Sequence, residues 1–331
     1  MNLRRIDATR ELIHSRSELL SLGHSESKIS RAVRSGELLR LSRGHYAIAS
    51  HLKQLTPEER HLLYVFACAA TKHTDSPFSS HSAAVLLGLP LYNFRSARPQ
   101  ILISHRASAT STKYVDRRVA ECLDSELVEI CGVRCTDLER TVLDIARFHS
   151  AERALGCADA AIRLRFPVER GRAMAPEAMA WRESWLERLA NMPGARGVGR
   201  ATKVLRLADG SADSPLESVA RLRFHEAGYD IATQVKVESP FGGFYFVDLE
   251  ILGLGVLCEV DGKVKYTNAE IRQGQTADEV VYEEKRRSNW IEGRTQKRLL
   301  RLGARELATP ATFAKWLRDF EVPAPGPTPT R

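Results

Sequence analysis

Hydrophobic and polar positions change period several times along the chain, and each change marks a new element. The first fifty residues read as helix, turn, helix and hairpin. A helical stretch closes at Gly23, where glycine suits the left-handed residue that follows a helix. Ser25 can cap the next helix, SESKISRAVRSG, which closes at Gly36. Ile29, Ala32 and Val33 form its apolar face at helical spacing, and Lys28, Arg31 and Arg34 fall largely off that face. LLRLS and HYAIA then alternate as two short strands around Arg43-Gly44. PQILIS at 99–104 reads as a strand. Residues 136–147 read as a helix, with Asp137 and Glu139 placed where negative charge favours an N-terminus.

Breaks in this patterning divide the chain. FPVERGRAMAPEAMA interrupts it near Pro167, ADGSADSP does so at 208–215, and a Pro-rich tail follows Pro323. A length of 331 residues accommodates two or more domains, and there is no internal repeat. The expected organisation is a helix-turn-helix module at 1–50, a mixed α/β middle domain at 51–165 and a helical connector at 166–211. A C-terminal domain at 212–320 and an extended, disordered tail at 321–331 complete it. The fold class expected is an α+β or α/β multidomain protein.

Composition narrows the function classes. Hydrophobic residues make up 43% of the chain, enough for packed cores. No apolar run approaches the ~20 residues of a membrane span, and MNLRRIDATRELIHS has no apolar core of a secretory signal. Six scattered cysteines do not form a disulfide framework, so free thiols in a reducing cytoplasm are expected. CGVRC at 131–135 lacks the second pair or histidine that a zinc site needs. His73, His81 and His105 are expected to be isolated surface or packing residues. No membrane partner and no nucleotide cofactor are expected.

Lys and Arg number 49 against 41 Asp and Glu, a net charge of +8. That balance permits nucleic-acid binding without showing it. The first fifty residues carry nine Lys or Arg against five acids. Short helices, a basic second helix and a basic hairpin, in that order, are the parts of a winged helix-turn-helix. There the second helix enters the major groove and the hairpin touches phosphate. Lys28, Arg31, Arg34, Arg40 and Arg43 are the candidate DNA contacts; the competing reading is a small packing module with a solvated charged face.

SRSELLSLGHSESKISRAVRSGELLRLSRGHYAIA resembles the N-terminal winged helix of AbiEi-type antitoxins of toxin–antitoxin systems. HSAAVLLGLPL, RPQILIS, GVRCTDLERTVLDIAR and ALGCADAAIR continue the resemblance over roughly residues 10–165. It implies a DNA-binding protein that regulates its own promoter and has a cognate toxin protein as partner. It implies no chemistry in this half.

The stretch that can carry chemistry is FYFVDLEILGLGVLCEVDG at 244–262, two β-prone runs around LGLG. A symmetric loop centred between Gly253 and Leu254 pairs Ile251 with Val256 and, further along, Asp248 with Glu259. Alternation then puts Tyr245, Val247, Leu249, Ile251, Val256, Cys258 and Val260 on one face. Asp248, Glu250, Glu259 and Asp261 take the other. Opposed carboxylates destabilise a ladder unless water, a shared proton or a cation offsets them. Oxygen ligands of this kind suit Mg²⁺ or Mn²⁺; the competing reading is a sheet with one wet, acidic face. Upstream, Ser214 and Pro215 open a helix in which Glu217 completes a capping box. Downstream, residues 283–305 read as a basic helical stretch with eight Lys or Arg against three acids, including Lys285, Arg286 and Arg287. These are candidate phosphate contacts.

This order, helix-Glu, strand-Asp, strand-Glu, basic helix, resembles the very-short-patch-repair-like branch of PD-(D/E)XK endonucleases, over about residues 212–308. Carried over by position, the resemblance implies Asp248 and Glu259 as metal ligands, Asp261 assisting and Glu217 completing the set. Lys265 stands where the branch has a His or Lys. The motif lysine would be residue 261, which is Asp here, so Lys263, Lys265 or Lys285 would have to substitute. Three functions compete: a metal-dependent DNA endonuclease, a non-enzymatic antitoxin-like autorepressor with an inactive nuclease fold, and an RNA-directed nuclease.

Overall fold

The computed structural model describes residues 3–71, 76–95, 98–104, 111–262 and 277–325. The chain is mixed α and β with several small sheets. It divides into two compact units, residues 1–157 with 188–202, and residues 158–187 with 203–331.

The first unit opens with α1 (Leu3–Glu11), β1 (His14–Ser15), α2 (Arg16–Ser21), α3 (Glu26–Ser35), β2 (Leu38–Ser42) and β3 (His45–Ile48). β3 lies between β1 and β2, antiparallel to both. Local chemistry sets the helix ends. Ser15 and Glu18 form a capping box on α2, and Ser25 Oγ accepts the Lys28 N–H on α3. Gly36 ends α3 at φ 80°, a conformation that costs a residue with a Cβ. Ile29 packs against Leu19 and Tyr46, so α3 buries one stripe and leaves its basic positions outside. Leu41 and Ala47 of the hairpin pack with Leu63 and Ala67 of α4 (Pro57–Ala69).

The unit continues with α5 (Ser80–Leu86), the parallel pair β4 (Gln100–Ile103) and β5 (Asp116–Val119), and the hairpin β6 (Leu127–Ile130) and β7 (Val133–Thr136). α6 (Leu138–Phe148) follows, capped by Asp137, whose Oδ1 accepts the Arg140 N–H at 2.8 Å. His81 is a buried packing residue, as one of the two expected roles has it, but it is not isolated: its ring centroid lies 5.0 Å from His61 and 5.8 Å from His149. His61 Nε2 bonds Ser82 Oγ at 2.9 Å and His149 Nε2 bonds Ser80 Oγ at 2.7 Å. The three histidines come from segments far apart in sequence, which single-position reading cannot join. His73 and His105 lie outside the described residues.

Helices α7 (Ala151–Arg165), α8 (Pro176–Ala190) and α9 (Val198–Leu205) each cross a division between the units. Within the second unit the distal half of α7 supplies Asp159, which is fully buried. It accepts from Arg221 Nη2 at 2.6 and 2.8 Å, from Ser218 Oγ at 2.6 Å and from the Asp209 N–H at 3.0 Å.

The second unit then builds α10 (Pro215–Glu226), β8 (Ile231–Glu238), β9 (Phe244–Ile251), β10 (Val256–Asp261), α11 (Ala277–Thr295), β11 (Arg298–Gly303) and α12 (Pro310–Asp319). The sheet order is β11-β10-β9-β8, antiparallel among β8, β9 and β10, with β11 parallel to β10. The basic stretch is therefore not helical throughout. It leaves the helix at Thr295, and RLLRLG forms β11, where Cys258 pairs with Leu300 and both Leu300 and Leu302 are buried. Tertiary pairing overrides the helical pattern of its arginines.

Val256 pairs with Ile251, Leu257 with Glu250 and Cys258 with Leu249, as the symmetric loop requires. The ladder stops one pair short of Asp248 and Glu259. There Asp248 Oδ2 accepts the Val260 N–H at 2.8 Å. The expected faces also need correction. All five residues from Val256 to Val260 are buried, on both faces of the strand, and only Asp261 at the end of β10 is half-exposed. Val247 clusters with Val237, Leu257 and Ile291 rather than with Val256 and Cys258. Alternation breaks where the β8–β9 ladder omits the pair Gln234–Asp248, and Gln234 there has φ 50°.

Candidate functional site

A cavity of about 830 Å³ opens at this break. α10 brings Glu217, β8 brings Gln234, β9 brings Asp248, β10 brings Glu259 and Asp261, and α11 brings Glu283, Glu284 and Arg287. Asp213 and Arg170 complete its charged lining, which thus holds seven carboxylates against two guanidinium groups. The sheet, not the sequence interval, brings these side chains together: Asp248 and Glu259 sit on neighbouring strands just where the ladder opens.

Each carboxylate has an engagement. Glu217 acts as a helix cap: Oε1 accepts from Ser214 Oγ at 2.8 Å and Oε2 from the Asp213 N–H at 2.8 Å. Half of the expected box forms, with Ser214 Oγ accepting the Glu217 N–H at 3.3 Å; in the other half Asp213 rather than Ser214 offers the backbone N–H. Gln234 Nε2 adds a contact to the same oxygen at 3.4 Å. Burial, helped by the negative charge of Asp248, pushes the Glu217 carboxyl above the ordinary range. Glu259 is 7% exposed and ion-paired with Arg287 on Oε1 and with Arg301 on Oε2 at 3.3 Å. Arg301 also reaches Asp261 at 3.6 Å and Glu284 at 2.5 Å. Burial, with Asp248 nearby, pushes the Cys258 thiol up to about 12, so it stays a neutral core group.

The donor chemistry fits a hard divalent cation: carboxylate oxygens from α10, β9 and β10 around one cavity. Their present orientation favours the arginines instead. Among the described residues, no three His, Cys, Asp or Glu side chains are grouped closely enough to hold an ion. Arg287, expected to face phosphate, donates to Glu259 and, at 2.9 Å, to the Phe246 carbonyl. Lys285 and Arg286 are exposed on α11, and Arg286 pairs with Glu283 at 3.0 Å. Lys263 and Lys265 lie outside the described residues.

In the first unit, Lys28, Arg31 and Arg34 are exposed on α3, Arg40 is exposed on β2, and Arg43 is exposed in the turn between β2 and β3. A cavity of about 350 Å³ between α3 and the hairpin is bounded by Arg34 and Arg40.

Sequence reasoning missed Gln234, Arg170 and Arg301. Arg301 lay in a stretch read as helix. Gln234 and Arg170 carry no local signal, although a polar residue at the fourth position of IATQVKVE does break its β-rich pattern.

No known family model matches the chain, and no curated protein is similar to it. Among solved structures, the RV2827C protein from Mycobacterium tuberculosis is similar at a TM-score of 0.35 and 14% identity. The match covers 71% of this chain and 87% of that one. Among the described residues, no helix is long and apolar enough to cross a membrane.

Proposed function

We propose that this is a DNA-binding protein whose second unit carries a divalent-metal-dependent phosphodiester hydrolase site of the PD-(D/E)XK type. The observation that carries this reading is the convergence of Glu217, Asp248, Glu259 and Asp261 on one cavity. The order helix, three antiparallel strands, helix, parallel strand agrees with it. The helix–strand–helix–helix–hairpin order of residues 3–48, with its exposed basic α3, supports DNA docking in a winged-helix manner.

Asp248 and Glu259 would hold Mg²⁺ or Mn²⁺, with Asp261 and Glu217 beside them. Such a bound cation lowers the pKa of a water and neutralises charge on a phosphate. The chain's own residues do the rest. Asp248 is oriented by the Val260 N–H. Glu217 is fixed by the Asp213 N–H and Ser214, and Arg287 and Arg301 supply the positive charge nearest Glu259.

A second reading, an antitoxin-like autorepressor with a cognate toxin partner and an inactive nuclease fold, is favoured by two observations. Asp261 stands where the motif has a lysine, and both oxygens of Glu259 face arginines. Plasmid nicking separates the two. Cleavage that needs Mg²⁺ or Mn²⁺, stops with chelator and is lost in Asp248→Asn supports the hydrolase. Equal nicking by wild type and Asp248→Asn identifies a contaminant, and no nicking on any DNA with either metal leaves the regulator.

A further inference from the structure

A second charged cavity, in the first unit, has the opposite sign. It holds about 450 Å³ and is lined by Arg40, Tyr64, Arg98, Lys113 and Tyr114, with Leu41 and Pro99 as its apolar wall. Three of these are cations and none is an acid. The Arg40 guanidinium carbon lies 5.9 Å from the Tyr114 ring centroid and Lys113 Nζ lies 4.9 Å from it. Arg98 is held in place by the Thr112 carbonyl at 2.9 Å and by Asp116 at 2.6 Å. Arg40 also bounds the cavity beside α3, so one side chain belongs to both. Tyr114 is thus the aromatic side chain that Arg40 joins to the surface beside α3.

We propose that this cavity takes a single unpaired nucleotide of the bound DNA, its base stacked on Tyr114 and its phosphate held by Arg40 and Lys113. The inference rests on the reading that the first unit binds DNA. The chemistry is that of a stacking platform in a positive groove: every base has a π-face, and Arg and Lys neutralise the backbone. A volume within the ~300–1,000 Å³ of small-ligand pockets admits one nucleotide, not a base pair inside a duplex, whose bases face each other in the stack. The ligand is therefore a bulged, flipped or overhanging nucleotide, and the preference it creates is for DNA structure rather than sequence.

The test uses the full chain, fluorescence anisotropy and two duplexes, one blunt and one identical but with a single unpaired 2-aminopurine. The bulged duplex should bind about tenfold more tightly, with the 2-aminopurine emission quenched on binding. Tyr114→Ala should bring the affinity ratio of the two duplexes to one and abolish the quenching, whereas Tyr114→Phe should keep both. Equal affinity of wild type for the two duplexes overturns the proposal, and so does a ratio that survives in Tyr114→Ala. Displacement of the bulged duplex by micromolar free mononucleotide overturns it in favour of a free-nucleotide site. Failure of the underlying reading looks different: the blunt duplex does not bind, or binds equally well in Arg31→Ala/Arg34→Ala, and the proposal falls with it.

Discussion

Arg287 donates both to Glu259 and to the Phe246 carbonyl, so one side chain of α11 ties together β9 and β10 where their ladder has opened. Glu259, itself buried, is consequently a member of a partly buried ion-pair network and not of a repelling carboxylate pair.

Glu259→Gln should therefore destabilise the protein by about 1–2 kcal/mol, since it leaves two partly buried guanidinium groups short of a counter-charge; their partial exposure keeps the loss below that of a fully buried pair. Asp248→Asn should not destabilise it. The asparagine oxygen can still accept the Val260 N–H, and removing the charge relieves Glu217. Urea titration of the two variants beside wild type checks this, and an Asp248→Asn loss as large as that of Glu259→Gln would contradict it.

Divalent-ion binding should compete with Arg287. Arg287→Ala should bind Mn²⁺ more tightly than wild type in calorimetry, and stripping the ion with chelator should restore wild type to its starting melting temperature. Identical Mn²⁺ affinities in the two proteins would mean that the guanidinium and the ion do not share Glu259.

Stability should fall in acid partly through His149. Burial, followed by repulsion from the His81 imidazole and from the guanidinium groups of Arg153, Arg118 and Arg200, lowers its pKa from 6.5 to about 4. The unfolded chain takes up the proton first. The contribution is complete above about pH 6.5 and is lost as pH falls toward 4, at up to about 1.4 kcal/mol per pH unit. Unfolding free energies of wild type and His149→Gln at pH 7, 6 and 5 should converge as pH falls; a constant gap would refute the assignment.

Asp159→Ala should cost about 3 kcal/mol, because it takes from Arg221, itself 6% exposed, the carboxylate whose two oxygens its Nη2 meets and leaves only the ion pair with Asp209. Asp159→Asn should cost less. Chemical denaturation monitored by the fluorescence of Trp181 and Trp185, which belong to the same unit, reads this directly.

The parts of the fold legible in the sequence are those governed by neighbours in the chain. Ser25 and Gly36 bound α3, Ser214 and Pro215 open α10, and LGLG sets the register of β9 against β10. Sequence-distant partners decide the rest. β11 was hidden because Arg298 and Arg301 spoil its alternation, and only pairing with β10 makes it a strand. The carboxylates of the site could be named from their spacing, but not the arginines that meet Glu259 from 28 residues and more away. The histidine cluster joins α4, α5 and the end of α6, and nothing local announces it.

The helices that cross the divisions have a consequence for how the molecule is made. The first unit needs residues 188–202, and the second needs 158–187, so neither is a continuous piece of chain. During synthesis the first unit remains incomplete after residue 157 has emerged, until residues 158–187 of the other unit and then its own 188–202 have followed. A fragment cut at residue 165 lacks the last strip of the first unit, and one begun at 212 lacks Asp159 beneath Arg221. Dissection by truncation would therefore test damaged halves, and the proposed DNA binding and hydrolysis are better separated by point substitutions in the whole chain.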